Sequence, residues 1–139
     1  MNRVLDRLWI GSLRDLAPGV PLRALGFTAV VDLRDGFRDV PDVAGVVTHR
    51  LENRDGDPWS AEQVEGVLAF VADQVRAGRV LIVCAAGMSR SASVAIGFLV
   101  RSGWDAASAY ARVREARGKI APVASMLESV LRVAVAENI

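Results

Sequence analysis

Hydrophobic positions in the chain form several short continuous runs that predict strands. Residues 28–34, 45–51 and 79–84 are rich in β-branched and aliphatic side chains, are bounded by glycine or turn residues, and predict buried strands. A shorter run at residues 7–11 predicts another strand, and residues 21–27 look like a helical turn or short helix. The pattern therefore predicts four strands.

Helical spacing of the apolar residues begins after a polar loop at residues 52–59. Ser60 can cap a helix, Gln63 completes a capping box, and apolar residues then recur at intervals of three and four. A buried helix is predicted at residues 90–102, and another begins after an Asp105 cap. The last helix is amphipathic and carries Leu127, Val130, Leu131, Ala134 and Val135.

The order of these elements predicts the fold class. Strands alternating with helices are typical of an α/β fold, so we expect a central, mostly parallel sheet flanked by helices. The chain has 139 residues, enough to bury a core without disulfides or metals, and we expect a single domain over residues 1–139. A hydrophobic content of 52% agrees with a globular α/β domain rather than a disordered chain.

Charge and hydropathy exclude several classes of partner. The formal net charge is +1 and no block of five like charges occurs, which argues against a nucleic-acid partner. The N-terminal segment lacks the continuous apolar region of a signal peptide, and the longest apolar stretches are too short to span a bilayer. We therefore expect no membrane partner and a cytoplasmic location.

Cys84 is the only cysteine, so no internal disulfide can form and a reducing compartment fits. A lone cysteine is often a buried core residue. This one ends an apolar strand, however, and Arg90 opens the buried helix six positions later. The small residues between them let backbone N–H groups turn inward around an anion. Arg90 can grip that anion and favours the thiolate form of Cys84, which makes the cysteine a candidate nucleophile.

The segment Cys84-Ala85-Ala86-Gly87-Met88-Ser89-Arg90 resembles the C-x5-R signature of the protein tyrosine phosphatases. With Ser91 following, it is most similar to the dual-specificity phosphatases. The likeness extends to "RLWIGSL", "LRALGFTAVVDLR", "THRLENRDGD" and "ARVREARGKIAP", in the order that family shows. The resemblance implies a phosphotyrosine protein phosphatase-like fold and hydrolysis of phosphorylated proteins or small phosphomonoesters through a phosphocysteine intermediate, without a cofactor.

The same resemblance implies a role for each residue around the thiol. Cys84 is the expected nucleophile, and Ser91 is expected to stabilise the departing thiolate. An aspartate about thirty residues before the cysteine is the expected general acid. Asp55 fits best because it follows "THRLEN" directly, and Asp57 is the alternative. The phosphate is expected to lie against residues 85–89, called the phosphate loop below, and the arginine after them: Ala85, Ala86, Gly87, Met88, Ser89 and Arg90.

Two positions depart from the family pattern. Val83 stands where the family generally has a histidine that helps to hold the loop and the thiolate. Val123 stands where the family commonly has an asparagine that braces the loop. Val83 therefore predicts a looser electrostatic setting for the thiolate, and Val123 predicts the loss of a side-chain brace. Neither change removes the nucleophile, the arginine or the acid.

Other polar residues are expected to have lesser roles. His49, the only histidine, lies within a predicted strand and is expected to be structural or exposed. No cluster has metal-ligand spacing, so no metal is expected. Ala85 and Ala86 leave the phosphate loop without the lysines of the phosphoinositide phosphatases. Arg34 and Arg38 can recognise acidic substrate features or can be ordinary solvated charges.

Two other functions compete with a phosphatase. The first is a phosphate-binding pseudophosphatase that recognises phosphoproteins without turnover, which Val83 and Val123 motivate. The second is a rhodanese-like sulfurtransferase, which also uses a loop cysteine beside an anion-binding site. The Gly-x-Ser-Arg-Ser sequence and the upstream aspartate argue against the second.

Overall fold

The computed structural model describes residues 1–35 and 45–136. Within these ranges one sheet is formed by five strands: β1 (Asn2–Leu5), β2 (Leu8–Ser12), β3 (Phe27–Asp32), β4 (Val47–Arg50) and β5 (Arg79–Cys84). The strand order is β1-β2-β5-β3-β4. Only β1 runs antiparallel to its neighbour, and β5 lies at the centre with parallel partners on both sides. The mostly parallel α/β fold predicted from the sequence is confirmed.

Helices cover one face of this sheet. The described residues form α1 (Ala61–Gln74), α2 (Arg90–Arg101), α3 (Ala106–Arg117) and α4 (Ala124–Ala136), and all four contribute to one large apolar cluster. Helix α2 is buried along residues 90–100, because it packs on the sheet and is covered by its neighbours. The opposite face buries a smaller cluster, in which turn residues such as Leu22 pack on β3 and β5.

Local sequence signals account for most element boundaries. Ser60 and Gln63 form the predicted capping box, with the Gln63 N–H donating to Ser60 Oγ at 3.1 Å and the Ser60 N–H to Gln63 Oε1 at 3.0 Å. The predicted strand at residues 79–84 and the Asp105 cap are also confirmed. Residues 22–26 form turns, which agrees with the predicted helical turn and not with the short helix, and they end at Gly26 with φ of +91°.

The sequence pattern missed one strand, β1. Its four residues are two polar side chains followed by two apolar ones, which is not a strand pattern. The pairing of Asn2 with Ile10 and of Arg3 with Trp9 defines the strand instead. In the described part of the chain, no helix combines the length and the apolar character needed to cross a membrane.

Candidate active site

A pocket lies beyond the carboxyl end of the central strand. Strand β5 ends at Cys84 and α2 begins at Arg90, so the phosphate loop connects the middle of the sheet to the most buried helix. Parallel α/β sheets place their ligands at this edge. The pocket has a volume of about 320 Å³, and its lining residues are Asp55, Cys84, Ala85, Ala86, Met88, Ser89, Arg90 and Ala121.

Every carbonyl group of the phosphate loop accepts a hydrogen bond from outside the loop. The donors belong to four segments: the chain after β2, helix α2, helix α3 and the link before α4. In loop order they are the Leu13 N–H to Ala85 O (3.2 Å), Arg117 Nη2 to Ala86 O (3.2 Å), Arg117 Nε to Gly87 O (3.1 Å), the Ala121 N–H to Met88 O (2.8 Å) and the Ser93 N–H to Ser89 O (2.9 Å).

These bonds fix the direction of the loop's N–H groups. In a trans peptide the C=O and N–H point in opposite directions, and no cis peptide occurs in the described chain. With their carbonyls held outward, the peptides of the loop present their N–H groups to the pocket. The result is a concave set of donors at the N-terminus of α2, an arrangement that binds anions.

Gly87 is required at the tightest point of the phosphate loop. Its φ is +73°, a left-handed conformation that side chains with a Cβ resist. A Cβ at this position would also lie 2.6 Å from Gly11 O and 2.5 Å from Arg117 Nη2. Both the backbone angle and the close approach of β2 therefore demand glycine.

Arg117 is a functional residue that the sequence analysis did not single out. Besides its bonds to two loop carbonyls, its Nη1 donates to Asn2 Oδ1 at 2.9 Å, which ties the phosphate loop to β1. Its position at the end of α3, inside the quoted "ARVREARGKIAP", was the available signal. Periodicity could not identify it because its partners lie about thirty residues away or more in the chain.

The nitrogen atoms of the Arg90 guanidinium group differ in their hydrogen bonding. Nη1 donates to Leu33 O at 3.2 Å, to Asn53 O at 2.7 Å and to Asp35 Oδ1 at 3.1 Å. Nε is buried, and it has no hydrogen-bond partner among the residues that the structure describes. A buried donor left unpaired costs about 1–3 kcal/mol. Arg90 also lines the pocket, so its side chain is anchored through Nη1 while its Nε stays unpaired within the described residues.

Ser91 lies directly beside the thiol. Its Oγ is 3.2 Å from Cys84 Sγ, and its backbone N–H points at the same sulfur from 3.5 Å. Both side chains are buried, with exposures of 0% for Ser91 and 2% for Cys84. The Ser91 N–H and hydroxyl therefore both lie within hydrogen-bond distance of the sulfur, and between Ser91 Oγ and Cys84 Sγ either atom can donate.

Of the two candidate acids, the structure brings Asp55 and not Asp57 to the pocket. Both belong to residues 53–58, called the acid loop below. Asp55 Oδ1 accepts a hydrogen bond from Ser89 Oγ at 2.7 Å. Asp57 is exposed and contributes backbone turn bonds, its N–H donating to Arg54 O at 3.1 Å and its carbonyl accepting from Asn53 Nδ2 at 2.6 Å.

Helix α4 holds the acid loop at Gly56. The Gly56 N–H donates to Met126 Sδ at 3.1 Å, and Ser125 Oγ donates to Gly56 O at 2.9 Å. Arg90 adds a third tie through the carbonyl of Asn53. Asp55 is thus carried on an exposed loop that is anchored on both sides of it.

The two positions that depart from the family pattern differ in their surroundings. Val83 is fully buried in the small apolar cluster on the opposite face of the sheet from Cys84, so its side chain does not reach the pocket. Val123 faces the site through its backbone, and its N–H donates to Ser89 Oγ at 3.2 Å. A main-chain donor therefore contacts the phosphate loop where the side chain cannot.

Arg34 and His49 lie outside the pocket lining. Arg34 is buried and forms a bidentate pair with Asp32, with N···O distances of 2.9 and 2.8 Å. The hydrogen bond with Asp32 raises the pKa of Arg34. The expectation that Arg34 is solvated or faces a substrate is therefore wrong. Arg38 lies outside the described residues. The rings of His49 and Phe70 pack together with their centroids 5.0 Å apart, and burial lowers the pKa of His49.

Within residues 1–35 and 45–136, no group of three or more acidic, histidine or cysteine side chains is placed to hold a metal ion.

The chain is similar to dual specificity phosphatases in both sequence and structure. Residues 8–135 match the family model described as the dual specificity phosphatase catalytic domain. Human DUSP28 is 26% identical with a TM-score of 0.88, covering 99% of this chain and 98% of its own. A mouse putative dual specificity phosphatase complexed with zinc tungstate is 26% identical with a TM-score of 0.86, covering 97% and 86%. None of the curated proteins matches the chain.

A third solved structure shares the fold. The human tyrosine phosphatase-like serine/threonine/tyrosine-interacting protein is 21% identical with a TM-score of 0.89, and the match covers 100% of this chain and 98% of that one. All three matched structures align over nearly the whole of this chain. The likeness therefore extends over the whole fold.

Proposed function

Because the chain belongs to the dual specificity phosphatase family, we propose that it hydrolyses phosphate monoesters through a phosphocysteine intermediate. The substrates are phosphotyrosine, phosphoserine and phosphothreonine in proteins, or small phosphomonoesters. The observation that carries this proposal is the phosphate loop, whose five outward carbonyls leave a ring of N–H groups around the thiol. Nε of Arg90, buried and unpartnered within the described chain, adds a charged donor.

In the first step the Cys84 thiolate attacks phosphorus. A sulfur–phosphorus bond forms as the bond from phosphorus to the ester oxygen breaks, and Asp55 delivers a proton to that leaving oxygen. The equatorial phosphate oxygens gain charge in this transition state, where the loop N–H groups and Arg90 stabilise it. Positioning and charge stabilisation supply most of the catalysis in phosphoryl transfer.

In the second step water attacks the phosphocysteine. Asp55, now a carboxylate, takes a proton from the water, an oxygen–phosphorus bond forms and the sulfur–phosphorus bond breaks. The electron pair returns to Cys84 Sγ, where the Ser91 hydroxyl at 3.2 Å stabilises it. Inorganic phosphate leaves, and the enzyme regains its thiolate and its protonated acid.

The pocket wall favours substrates with a single phosphate group. Among the residues that the structure describes, the lining has no cationic side chain apart from Arg90. It consists of the acid, the nucleophile, one serine, and the small or apolar residues Ala85, Ala86, Met88 and Ala121. Met88 is 40% exposed at the rim and offers an apolar contact to the group that bears the phosphate. Nothing in this lining would pair with further phosphates on a substrate.

One assay separates the phosphatase from a pseudophosphatase. Purified wild-type protein and the Cys84→Ser variant are compared for hydrolysis of p-nitrophenyl phosphate and of a phosphotyrosine peptide. Turnover by the wild type with none by Cys84→Ser is the expected result. Binding of vanadate or tungstate by a wild type that turns nothing over would establish the binding function instead. No observation in the structure favours a sulfurtransferase, which formation of thiocyanate from thiosulfate and cyanide would reveal.

A further inference from the structure

Ser89 occupies the N-cap position of α2, yet its side chain does not cap the helix. An N-cap serine usually accepts a hydrogen bond from a backbone N–H two or three residues later. Ser89 Oγ instead accepts from the Val123 N–H at 3.2 Å and donates to Asp55 Oδ1 at 2.7 Å. The side chain thereby joins the acid loop to the segment that precedes α4.

We propose that Ser89 is a positioning residue for the general acid, and that its hydroxyl holds the Asp55 carboxyl group in the orientation that protonates the leaving oxygen. This inference rests on the proposed phosphatase function. It assigns a role to the side chain of a residue that the sequence pattern identified only as part of the phosphate loop.

The direction of the hydrogen bond follows from a count of hydrogens. A serine hydroxyl has one hydrogen to donate and can also accept. Because the Val123 N–H already donates to Ser89 Oγ, the hydroxyl hydrogen is available to Asp55 Oδ1. The transferable proton of Asp55 then belongs on Oδ2, the oxygen that Ser89 does not occupy. The same bond serves the carboxylate after transfer, so Ser89 acts in both chemical steps.

Asp55 needs such a partner because it lies on an exposed loop. An exposed aspartate samples several rotamers, and a misplacement of about 1 Å can lower a rate by about 10²-fold. Ser89 is itself well fixed: it is 8% exposed, and its carbonyl accepts from the Ser93 N–H at 2.9 Å. A rigid residue of the phosphate loop therefore sets the position of a side chain on the more exposed loop.

The test compares leaving groups in a Ser89→Ala variant. Phenyl phosphate has a poor leaving group that needs a proton, whereas p-nitrophenyl phosphate has a good one that needs it less. We expect kcat for phenyl phosphate to fall about tenfold or more, a part of the 10²–10⁴ that general acids contribute, and kcat for p-nitrophenyl phosphate to fall less than about twofold. Ser89→Thr, which keeps the hydroxyl, should restore the phenyl phosphate rate.

Two further measurements distinguish positioning from a defect in the phosphate loop. The vanadate inhibition constant of Ser89→Ala should equal that of wild type, and Ser89→Ala should cost nothing further in an Asp55→Ala background. Ser102→Ala, at the far end of α2, is the matched control for loss of a serine hydroxyl. Equal losses on both esters, weaker vanadate binding, or additive losses in the double variant would each overturn the proposal.

Failure of the proposed function is visible separately. If the wild type hydrolyses neither ester above the Cys84→Ser background, the phosphatase proposal fails, and the Ser89 proposal falls with it. If the wild type is active and Ser89→Ala loses both esters equally, the phosphatase proposal stands and only the role of Ser89 is wrong. Thermal unfolding of each variant shows that the comparison is made on folded protein.

Discussion

The phosphate loop and the acid loop face the same pocket but are held in different ways. The phosphate loop is fixed through its main chain, since all five of its carbonyls accept bonds from four other segments. The acid loop is held largely by side chains, through Asn53, Met126, Ser125 and Arg90. We therefore expect anion binding to depend on the backbone and the proposed proton transfer to depend on a few side chains that substitution can remove singly.

The sharpest comparison uses one glycine from each loop. Gly87 and Gly56 both have positive φ, +73° and +100°, but a Cβ at Gly87 would lie 2.6 Å from a backbone oxygen while one at Gly56 meets nothing within 4 Å. We expect Gly87→Ala to lower kcat/KM by about 10³-fold for every ester, because the loop donors lose their alignment. Gly56→Ala should cost about 1–2 kcal/mol of stability from backbone strain alone.

Steady-state kinetics, vanadate inhibition and urea unfolding of both glycine variants check this contrast. Gly56→Ala should bind vanadate with wild-type affinity, whatever its rate of phenyl phosphate hydrolysis. If the two variants lose vanadate affinity to the same degree, the anion site is not confined to the phosphate loop and the contrast between the loops fails.

The two aspartates of the acid loop provide the next largest effect. Asp55→Asn should lower kcat for phenyl phosphate by about 10²-fold or more, because an amide cannot donate the proton that the leaving oxygen needs. Asp57→Asn should remain within about twofold, since Asp57 contributes backbone bonds that the amide variant retains. Steady-state kinetics with phenyl phosphate and a phosphoserine peptide measure the loss of activity in both aspartate variants. A larger loss in Asp57→Asn would transfer the acid role to that residue.

Arg117 tests whether the outer side of the phosphate loop matters to catalysis. Arg117→Ala removes the donors to Ala86 O and Gly87 O, and we expect about a tenfold loss in kcat/KM on good and poor leaving groups alike. The lost charged hydrogen bonds should also cost about 1–3 kcal/mol in urea unfolding. Arg114→Ala removes an exposed arginine from the same helix and is the control, with kinetics near wild type. A loss confined to phenyl phosphate would contradict this assignment.

The smallest effect is expected at Asp35, one of the three partners of Arg90 Nη1. Its hydrogen bond with Arg90 holds the pKa of the Asp35 carboxyl below its usual range. Because the folded-state pKa is lowered, the contribution is complete above the unfolded-state pKa and is lost as the pH falls through the folded-state pKa. At neutral pH, Asp35→Asn should raise KM only about twofold, since two backbone carbonyls still hold Arg90.

A KM titration against pH completes the Asp35 experiment. Wild-type KM should approach that of Asp35→Asn as the pH falls below the usual range of an aspartate, and the two should differ most near neutrality. A tenfold or larger rise in KM at neutral pH would show that the carboxylate, rather than the carbonyls, positions Arg90.

Much of this fold and pocket follows from local sequence signals. The apolar strand, the small-residue loop and the buried helix are contiguous, so the placement of Cys84 and Arg90 at one sheet edge could be predicted directly. The Ser60 capping box and the Asp105 cap are equally local. Strand β1 could not be predicted because its pairing with β2, not its own pattern, defines it.

The supporting contacts of the site were beyond prediction for a physical reason. Arg117 reaches back about thirty residues to the phosphate loop, and Ser89 reaches 34 residues to Asp55. Each depends on which elements pack together and at what angle. A pattern along the chain carries no information on such angles. The choice between Asp55 and Asp57, left open by the sequence, likewise depends on the direction in which a turn faces.

The outward bonds of the phosphate loop also bear on how the protein is made. Their donors range from Leu13 to Ala121, so the anion site requires segments that lie far before and far after the phosphate loop in the chain. A ribosome-bound chain that has not yet exposed residues 117–121 lacks three of the five outside donors, even with β5 and α2 already synthesised. We therefore expect catalytic competence to emerge only after residues 117–121 are exposed, when β5 and α2 can already have formed. Recovery of phosphatase activity during refolding would then report completion of the native state.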